Sequence, residues 1–109
     1  MIREALLSVP GVEICGLAES CAQALQLVRT LLPNAVTLDL SLTDGSSIPL
    51  IPRLLEACPG LLLIVFSLNV DPIIRSKVLQ AGAAYCFNKD AGVDPIVSVV
   101  KASTISTSL

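Results

Sequence analysis

Histidine and tryptophan are absent from this sequence, and aromatic residues make up only 3% of it. Without histidine, a zinc site of mixed cysteine and histidine ligands is excluded, and no two cysteines form a C-x-x-C pair. A core must therefore be built mainly from Leu, Val, Ile and Ala, which the hydrophobic content of 53% allows. We interpret the four cysteines as reduced thiols at small core positions, as is typical of cytosolic proteins; they are Cys15, Cys21, Cys58 and Cys86.

Basic clusters and long apolar runs are also lacking. Seven basic residues stand against nine acidic ones, and the basic residues are scattered along the chain. This distribution is not that of a nucleic-acid-binding surface. The densest apolar run, residues 61–66, has the length of a buried strand and is far too short to cross a bilayer. The N-terminus does not resemble a signal peptide. We therefore expect a cytoplasmic protein with neither a nucleic-acid partner nor a membrane partner.

Two kinds of segment alternate along the chain, which has the length of one domain (1–109). Short apolar runs predict strands, and longer stretches with three- and four-residue apolar spacing predict helices between them. The apolar runs do not alternate with polar residues, so both faces of each strand should be covered. This pattern predicts an α/β fold with a doubly wound parallel sheet. The predicted strands are Val12 to Ala18, Ala35 to Leu40, Leu61 to Ser67 and Ala83 to Phe87.

Capping residues mark the ends of the predicted helices. Ser20 is placed to cap a helix over residues 24–32, and Ser46 or Ser47 precedes a helix over residues 50–58. Asp71-Pro72 and Asp94-Pro95 each read as a cap followed by proline at the first helical position. The helices that follow are predicted over Pro72 to Ala81, ended by Gly82, and from Pro95 to about Ser103. We expect Ser103 to Leu109 to be a frayed tail.

The opening of the chain departs from strand–helix alternation. Ile2 to Val9 reads as the last turns of a helix ended by Pro10-Gly11, and no strand comes before it. A doubly wound domain normally begins with a strand. We therefore expect the chain to begin inside its first helix and to lack the first strand, so that it is truncated at its N-terminus.

Three polar residues stand where three of the apolar runs end. Asp39 follows Ala35 to Leu38, Ser67 follows Leu61 to Phe66, and Lys89 follows residues 85–88. Because the carboxyl ends of parallel strands meet at one edge of the sheet, these side chains should lie together. A carboxylate can act as a nucleophile while a hydroxyl and an ammonium hold transferred oxygens, so the set suits phosphoryl chemistry. Each residue alone could be an ordinary strand-end polar residue; the three together favour a site.

Three motifs carry a resemblance to a known family. The run Thr37 to Gly45 resembles the phosphoacceptor segment of response-regulator receiver domains, which often reads L-D-x-x-L-P-D-G. Val65-Phe66-Ser67 is similar to their fourth strand, and Ala81 to Asp90 is similar to their A-G-A…K-D fifth strand. The spacing between these segments also fits the family, and the resemblance covers about residues 2–102. The resemblance to this CheY-like family implies a flavodoxin-like receiver fold, here lacking its first strand.

The resemblance also implies roles for the matched residues. Asp39 would accept a phosphoryl group from a histidine kinase or a phosphotransfer protein, Ser67 would bind one phosphoryl oxygen, and Lys89 would pair with another. Asp39 and the backbone carbonyl of Ser41 would be ligands of Mg²⁺, the expected cofactor. Ser41 and Asn69 occupy positions that tune the lifetime of the acyl phosphate in the family.

The implied function is signalling in a two-component phosphorelay by docking onto a partner protein. The docking face in the family is formed by the fourth helix, fifth strand and fifth helix, which correspond here to residues 71–102. Such a protein is not an enzyme beyond self-phosphorylation from a donor and self-dephosphorylation.

Several positions depart from the family pattern. Receivers hold Mg²⁺ with an acidic pair at the end of their first strand, and this pair is absent here, so metal affinity should be weak. Glu19 is the nearest candidate substitute, although its position suits a helix-entry carboxylate better. Leu68 replaces a small residue and is expected to crowd the phosphoryl group. Cys86 stands where the family has an aromatic switch residue, with Tyr85 and Phe87 expected on the opposite face.

Two other functions remain open on this pattern. One is a degenerate receiver that acts as a phosphorylation-independent protein-interaction module, which the missing acidic pair and Leu68 favour. The other is a small phosphohydrolase of the haloacid-dehalogenase type, which uses a similar strand-end set. That family requires a second Asp two residues after the nucleophile, where this chain has Ser41.

Overall fold

Strands and helices alternate along the part of the chain that the computed structural model describes, namely residues 9, 16–42, 45–68 and 70–107. Four helices, five strands and a 3₁₀ turn are found there. In chain order they are α1 (Cys21–Leu31), β1 (Ala35–Leu38), β2 (Ser41–Leu42), β3 (Gly45–Ser46), α2 (Leu50–Ala57), β4 (Leu62–Ser67), α3 (Pro72–Ala81), β5 (Tyr85–Asn88), the 3₁₀ turn (Lys89–Ala91) and α4 (Asp94–Thr107).

Three of these strands form the parallel sheet that the apolar runs predict. The strand order is β1–β4–β5, with Leu38 opposite Val65 in one pair and Ser67 opposite Asn88 in the other. β4 is the central strand, and its residues 63–67 are all buried. This explains why its sequence is continuously apolar rather than alternating.

Successive residues of β4 enter two separate cores. Leu63 and Val65 belong to a large cluster with residues of α1, α2 and α3, whereas Ile64 and Phe66 pack with Ile96 of α4. Because side chains alternate across a strand, three helices cover one face of the sheet and α4 covers the other. The fold is therefore a doubly wound α/β sheet of the flavodoxin-like type.

Local capping accounts for the helix boundaries that the sequence predicts correctly. The Ser20 side chain accepts a hydrogen bond from the Gln23 N–H at the start of α1, and the Asp71 carboxylate accepts one from the Ile74 N–H (2.8 Å) at the start of α3. Gly82 follows α3 with a φ of 120°, a value that side-chain-bearing residues rarely adopt. The predicted span of α3, Pro72 to Ala81, is confirmed.

Other boundaries differ from the prediction. The two strands β2 and β3 form an antiparallel hairpin that is too short to produce a periodic pattern, and the sequence did not predict it. α2 begins at Leu50 with Pro49 at its cap position, and no side chain caps it, so neither Ser46 nor Ser47 acts as the cap. α4 begins at Asp94, and it continues to Thr107, beyond the predicted end near Ser103, because no glycine or proline interrupts it.

The predicted elements at the N-terminus lie mostly outside the described residues. This applies to the helix over Ile2 to Val9, to the strand over Val12 to Ala18 and to the expected absence of a first strand. Of the predicted strand, only residues 16–18 are described, and they form no strand. In the described ranges of the chain, no helix combines the length and apolarity that a bilayer span requires.

Candidate functional site

The carboxyl ends of β1, β4 and β5 bring Asp39, Ser67 and Lys89 together. Asp39 is the first residue after β1, Ser67 is the last residue of β4, and Lys89 is the first residue after β5. The strands are parallel and adjacent in this order, so all three residues lie on one edge of the sheet. This is the juxtaposition that the strand order predicts.

Each oxygen of the Asp39 carboxylate is held by a different strand end. The Ser67 hydroxyl donates a hydrogen bond to Asp39 Oδ1 at 3.0 Å. The Lys89 ammonium donates to Asp39 Oδ2 at 2.5 Å and forms an ion pair with it. The side chains of Asp39 and Lys89 are 33% and 35% exposed, whereas Ser67 is only 3% exposed. The carboxylate is therefore fixed from the protein side and open to a small molecule from the solvent side.

The Lys89 ammonium also lies near an aromatic ring. Its Nζ lies 5.9 Å from the centre of the Phe66 ring, within the distance at which an ammonium is attracted to an aromatic face. Phe66 is itself buried in the core beside α4. An ion pair that is one-third exposed contributes only about 0–1 kcal/mol to stability. The arrangement therefore matters more for the chemistry of the carboxylate than for the stability of the fold.

Comparison with known proteins identifies the kind of domain to which this site belongs. No protein-family model matches the chain. The response regulator GacA of Pseudomonas aeruginosa is 25% identical over 100 residues, which are 92% of this chain and 47% of the relative. The receiver domain of the response regulator NarL from Mycobacterium tuberculosis superposes with a TM-score of 0.81 at 26% identity, over 91% of this chain and 80% of that one. The chain is a homologue of response-regulator receiver domains.

One further relative shares sequence similarity with the chain, and one further solved structure shares its fold. A protein-glutamate methylesterase/protein-glutamine glutaminase of Anaeromyxobacter dehalogenans is 36% identical over 84 residues, which are 76% of this chain but only 25% of that protein. A response regulator from Burkholderia pseudomallei, solved with a phosphorylated aspartic acid, a calcium ion and citrate, gives a TM-score of 0.75 at 24% identity, over 90% of this chain and 61% of that one. The receiver homologue thus spans half or less of the length of the curated relatives it matches.

The described part of this receiver homologue does not assemble a set of metal ligands. No three Asp, Glu or Cys side chains come close enough together there to hold a metal ion. Both Asp39 oxygens are engaged by protein donors, and Ser41 takes part in the β2–β3 pairing. Glu19 lies one residue before the α1 cap, the helix-entry position expected for it, and its backbone N–H bonds to the Gln23 side chain. The described residues therefore provide no multidentate set of acidic ligands for a divalent cation, and the assignment of Asp39 and Ser41 as its ligands stays a prediction.

The positions that depart from the receiver pattern lie in different environments. Leu68 is an exposed side chain directly after β4, and Asn69 lies outside the described residues. Cys86 is buried in the larger core cluster. Tyr85 and Phe87 stack on each other with ring centres 5.7 Å apart, and Phe87 packs against the α4 cluster on the other face. The aromatic pair is therefore separated from Cys86 by the sheet, as the strand period predicts.

Burial controls the chemistry of the Cys86 thiol. Removal from water raises its pKa above the ordinary value, and the nearby Arg75 guanidinium offsets part of this rise. A thiol with a raised pKa is protonated at neutral pH and is a poor nucleophile. Cys86 and Cys58 are buried core thiols, as the interpretation of the cysteines expects, whereas Cys21 is only partly buried.

The sequence did not predict the contact between Ser47 and Asp39. Ser47 is fully buried, and its hydroxyl donates a 2.6 Å hydrogen bond to the backbone carbonyl of Asp39. A serine just before a helix normally predicts a capping hydrogen bond to that helix. The sequence pattern therefore predicts a contact with α2 and not one with the segment after β1. The contact depends on the β2–β3 hairpin that lies between the two residues. The two strands of this hairpin are too short to be predicted from a periodic sequence pattern.

Proposed function

We propose that the chain is the phosphoacceptor domain of a two-component phosphorelay, with Asp39 accepting a phosphoryl group from a histidine kinase or a phosphotransfer protein. The observation that carries this proposal is the Asp39 carboxylate held between the Ser67 hydroxyl and the Lys89 ammonium at the open edge of the sheet. The similarity to response regulators supports the same function.

The reaction follows from the positions of the three side chains. An Asp39 carboxylate oxygen attacks the phosphorus of the donor, the bond from phosphorus to the donor breaks, and the donor leaves with the electron pair. The product is a mixed anhydride on Asp39. As negative charge develops on the transferred oxygens, the Lys89 ammonium moves from Asp39 Oδ2 to one of them, and the Ser67 hydroxyl donates to another.

A divalent cation has a minor part in this proposal. The Burkholderia relative of the same fold contains a calcium ion together with its phosphorylated aspartic acid. Here, the described residues offer no cluster of acidic ligands. We therefore expect Mg²⁺ to bind weakly, and Lys89 provides the positive charge that the described residues place at the carboxylate.

Signal output is proposed to occur by docking of a partner protein over residues 71–102. This range contains α3, β5 and most of α4, and its basic residues outside the Asp39 site are Arg75, Lys77 and Lys101. Because the chain spans only part of its relatives, their other activities are not carried over to it. A cytoplasmic location, without direct contact to nucleic acid or membrane, belongs to the same proposal.

The test is to incubate the purified chain with acetyl phosphate and Mg²⁺ and to measure its intact mass. We expect a single phosphoryl increment on the wild type and none on Asp39→Asn, which retains the shape of the side chain but is a far weaker nucleophile. A parallel sample with EDTA measures how far the reaction depends on a cation. If a folded wild-type chain gains no increment, the phosphorelay function is wrong and the phosphorylation-independent interaction module is the better explanation.

A further inference from the structure

We propose that Ser47 is a positioning residue for Asp39, and that its buried hydroxyl fixes the peptide group that carries the phosphoacceptor. This inference rests on the function proposed above. It concerns a residue outside the Asp39, Ser67 and Lys89 set, and it assigns that residue an effect on the rate of phosphoryl transfer rather than on the fold alone.

Two hydrogen bonds join Ser47 to the segment that follows β1. Its hydroxyl donates to the Asp39 carbonyl at 2.6 Å, and its backbone N–H donates to the Leu40 carbonyl at 3.0 Å. Ser47 is fully buried, and a buried hydroxyl with one proton commits that proton to one acceptor. The hairpin of β2 and β3 lies between Leu40 and Ser47 in the chain and brings them together.

The same peptide group is held from its other side by Ser67. The Asp39 carbonyl and the Leu40 N–H belong to one planar peptide unit. Its carbonyl accepts from the Ser47 hydroxyl, and its N–H donates to Ser67 Oγ at 3.4 Å. Ser67 in turn donates to the Asp39 carboxylate. Two serine hydroxyls therefore hold the unit at both ends, and this sets the direction in which the Asp39 side chain leaves the backbone.

Loss of the Ser47 hydroxyl would release one end of this unit. The Asp39 carbonyl would lose its hydroxyl donor, while the bond from the residue 47 N–H to the Leu40 carbonyl would persist in an alanine variant. The loop would then keep its fold but gain freedom at the Asp39–Leu40 peptide. Because a misplacement of about 1 Å can cost about a hundredfold in rate, we expect phosphorylation to slow by roughly tenfold to a hundredfold.

The experiment compares the initial rate of phosphorylation by acetyl phosphate in three variants of the full chain. Ser47→Ala removes the hydroxyl, and Ser47→Thr keeps it. Ser46→Ala is the matched control, because Ser46 is exposed and its Oγ accepts a hydrogen bond from the nearby Ile48 N–H rather than donating to Asp39. We expect Ser47→Ala to be slow per folded molecule, Ser47→Thr to recover most of the rate, and Ser46→Ala to equal the wild type.

Two results would overturn the inference: a Ser47→Ala variant that reacts at the wild-type rate, or a folded Ser47→Thr variant that is as slow as Ser47→Ala. If the wild type itself gains no phosphoryl group, the proposed function fails, and the ¹³C resonance of the Asp39 carboxyl decides the positioning role separately. That resonance should move in Ser47→Ala and stay unchanged in Ser46→Ala. An equal resonance in all three proteins would overturn the positioning role.

Discussion

At the scale of single residues, the site combines a fixed carboxylate with two donors that have different exposure. Ser67 is buried at the end of the central strand, so its hydroxyl has little freedom. Lys89 is one-third exposed and reaches Asp39 from the strand on the other side of β4. We infer that Ser67 orients the carboxylate and that Lys89 supplies the mobile charge.

Replacement of Lys89 by glutamine should separate rate from stability. Lys89→Gln removes the charge that we assign to the transferred oxygens, and a charged hydrogen bond of about 1.5–3 kcal/mol corresponds to a loss of roughly tenfold to a hundredfold in rate. The free energy of unfolding should change by about 1 kcal/mol or less, because the ion pair is partly exposed. Phosphorylation rates and urea denaturation measure the two quantities.

Lys77→Gln is the matched control for this substitution, because Lys77 is an exposed lysine on α3. It should leave the rate of phosphorylation unchanged. Equal rates for Lys89→Gln and the wild type would contradict the role assigned to the ammonium.

The buried Cys86 thiol should make stability depend on pH in the alkaline range. Burial raises the folded-state pKa above its unfolded value, so the unfolded chain loses the thiol proton first as the pH rises. The contribution of Cys86 to stability is therefore complete below the unfolded pKa of about 8.5 and is lost as the pH rises toward the folded pKa.

The measurement for Cys86 is the free energy of unfolding of the wild type and of Cys86→Ala, by urea at neutral pH and at alkaline pH. The difference in favour of the wild type should shrink at the higher pH. A difference that is constant with pH would mean that burial does not perturb the thiol.

At the scale of secondary-structure elements, the turn after α3 leads the chain into β5, which pairs with β4 in the sheet. Gly82 ends α3 with a φ of 120°, and its N–H donates to the Leu79 carbonyl. A β-carbon at this position would lie 2.6 Å from Leu55 Cδ1 on α2. The backbone conformation therefore favours glycine, and an added β-carbon would also force the Leu55 side chain to shift.

Gly82→Ala should destabilise the chain by about 1–3 kcal/mol, because it combines a strained φ with a steric clash. Gly60→Ala is the control, since Gly60 has a φ of 87° and no atom within 4 Å of an added β-carbon. Gly60→Ala should cost less, because it introduces the backbone strain alone. Urea denaturation midpoints, converted with one m-value, give the loss in free energy of unfolding for each variant. Equal losses for Gly82→Ala and Gly60→Ala would show that the Leu55 side chain moves aside freely.

At the scale of the whole molecule, the sequence predicts the parallel sheet because strands that are buried on both faces have continuously apolar sequences. β4 must fill two cores, so its residues are continuously apolar, and the parallel order then places Asp39, Ser67 and Lys89 on one edge. Capping explains why α1 and α3 are predicted well, since Ser20 and Asp71 act on the first turn of their own helix.

Features that depend on contacts across loops could not be predicted in the same way. The β2–β3 hairpin has two residues in each strand, too few for any period. Ser47 contacts Asp39 only because this hairpin closes, and the local pattern favours a cap instead. α4 continues through its Ser/Thr-rich end, because weak helix formers do not by themselves end a helix as glycine or proline does.

The most direct test of the central claim is to locate the phosphoryl group within the whole chain. After reaction with acetyl phosphate, borohydride reduces an aspartyl phosphate to homoserine, and peptide mass spectrometry assigns the altered residue. We predict homoserine at residue 39 and an unmodified aspartate at residues 44, 71, 90 and 94. Homoserine at one of those other positions, or at none, would contradict the account of Asp39 as the phosphoacceptor.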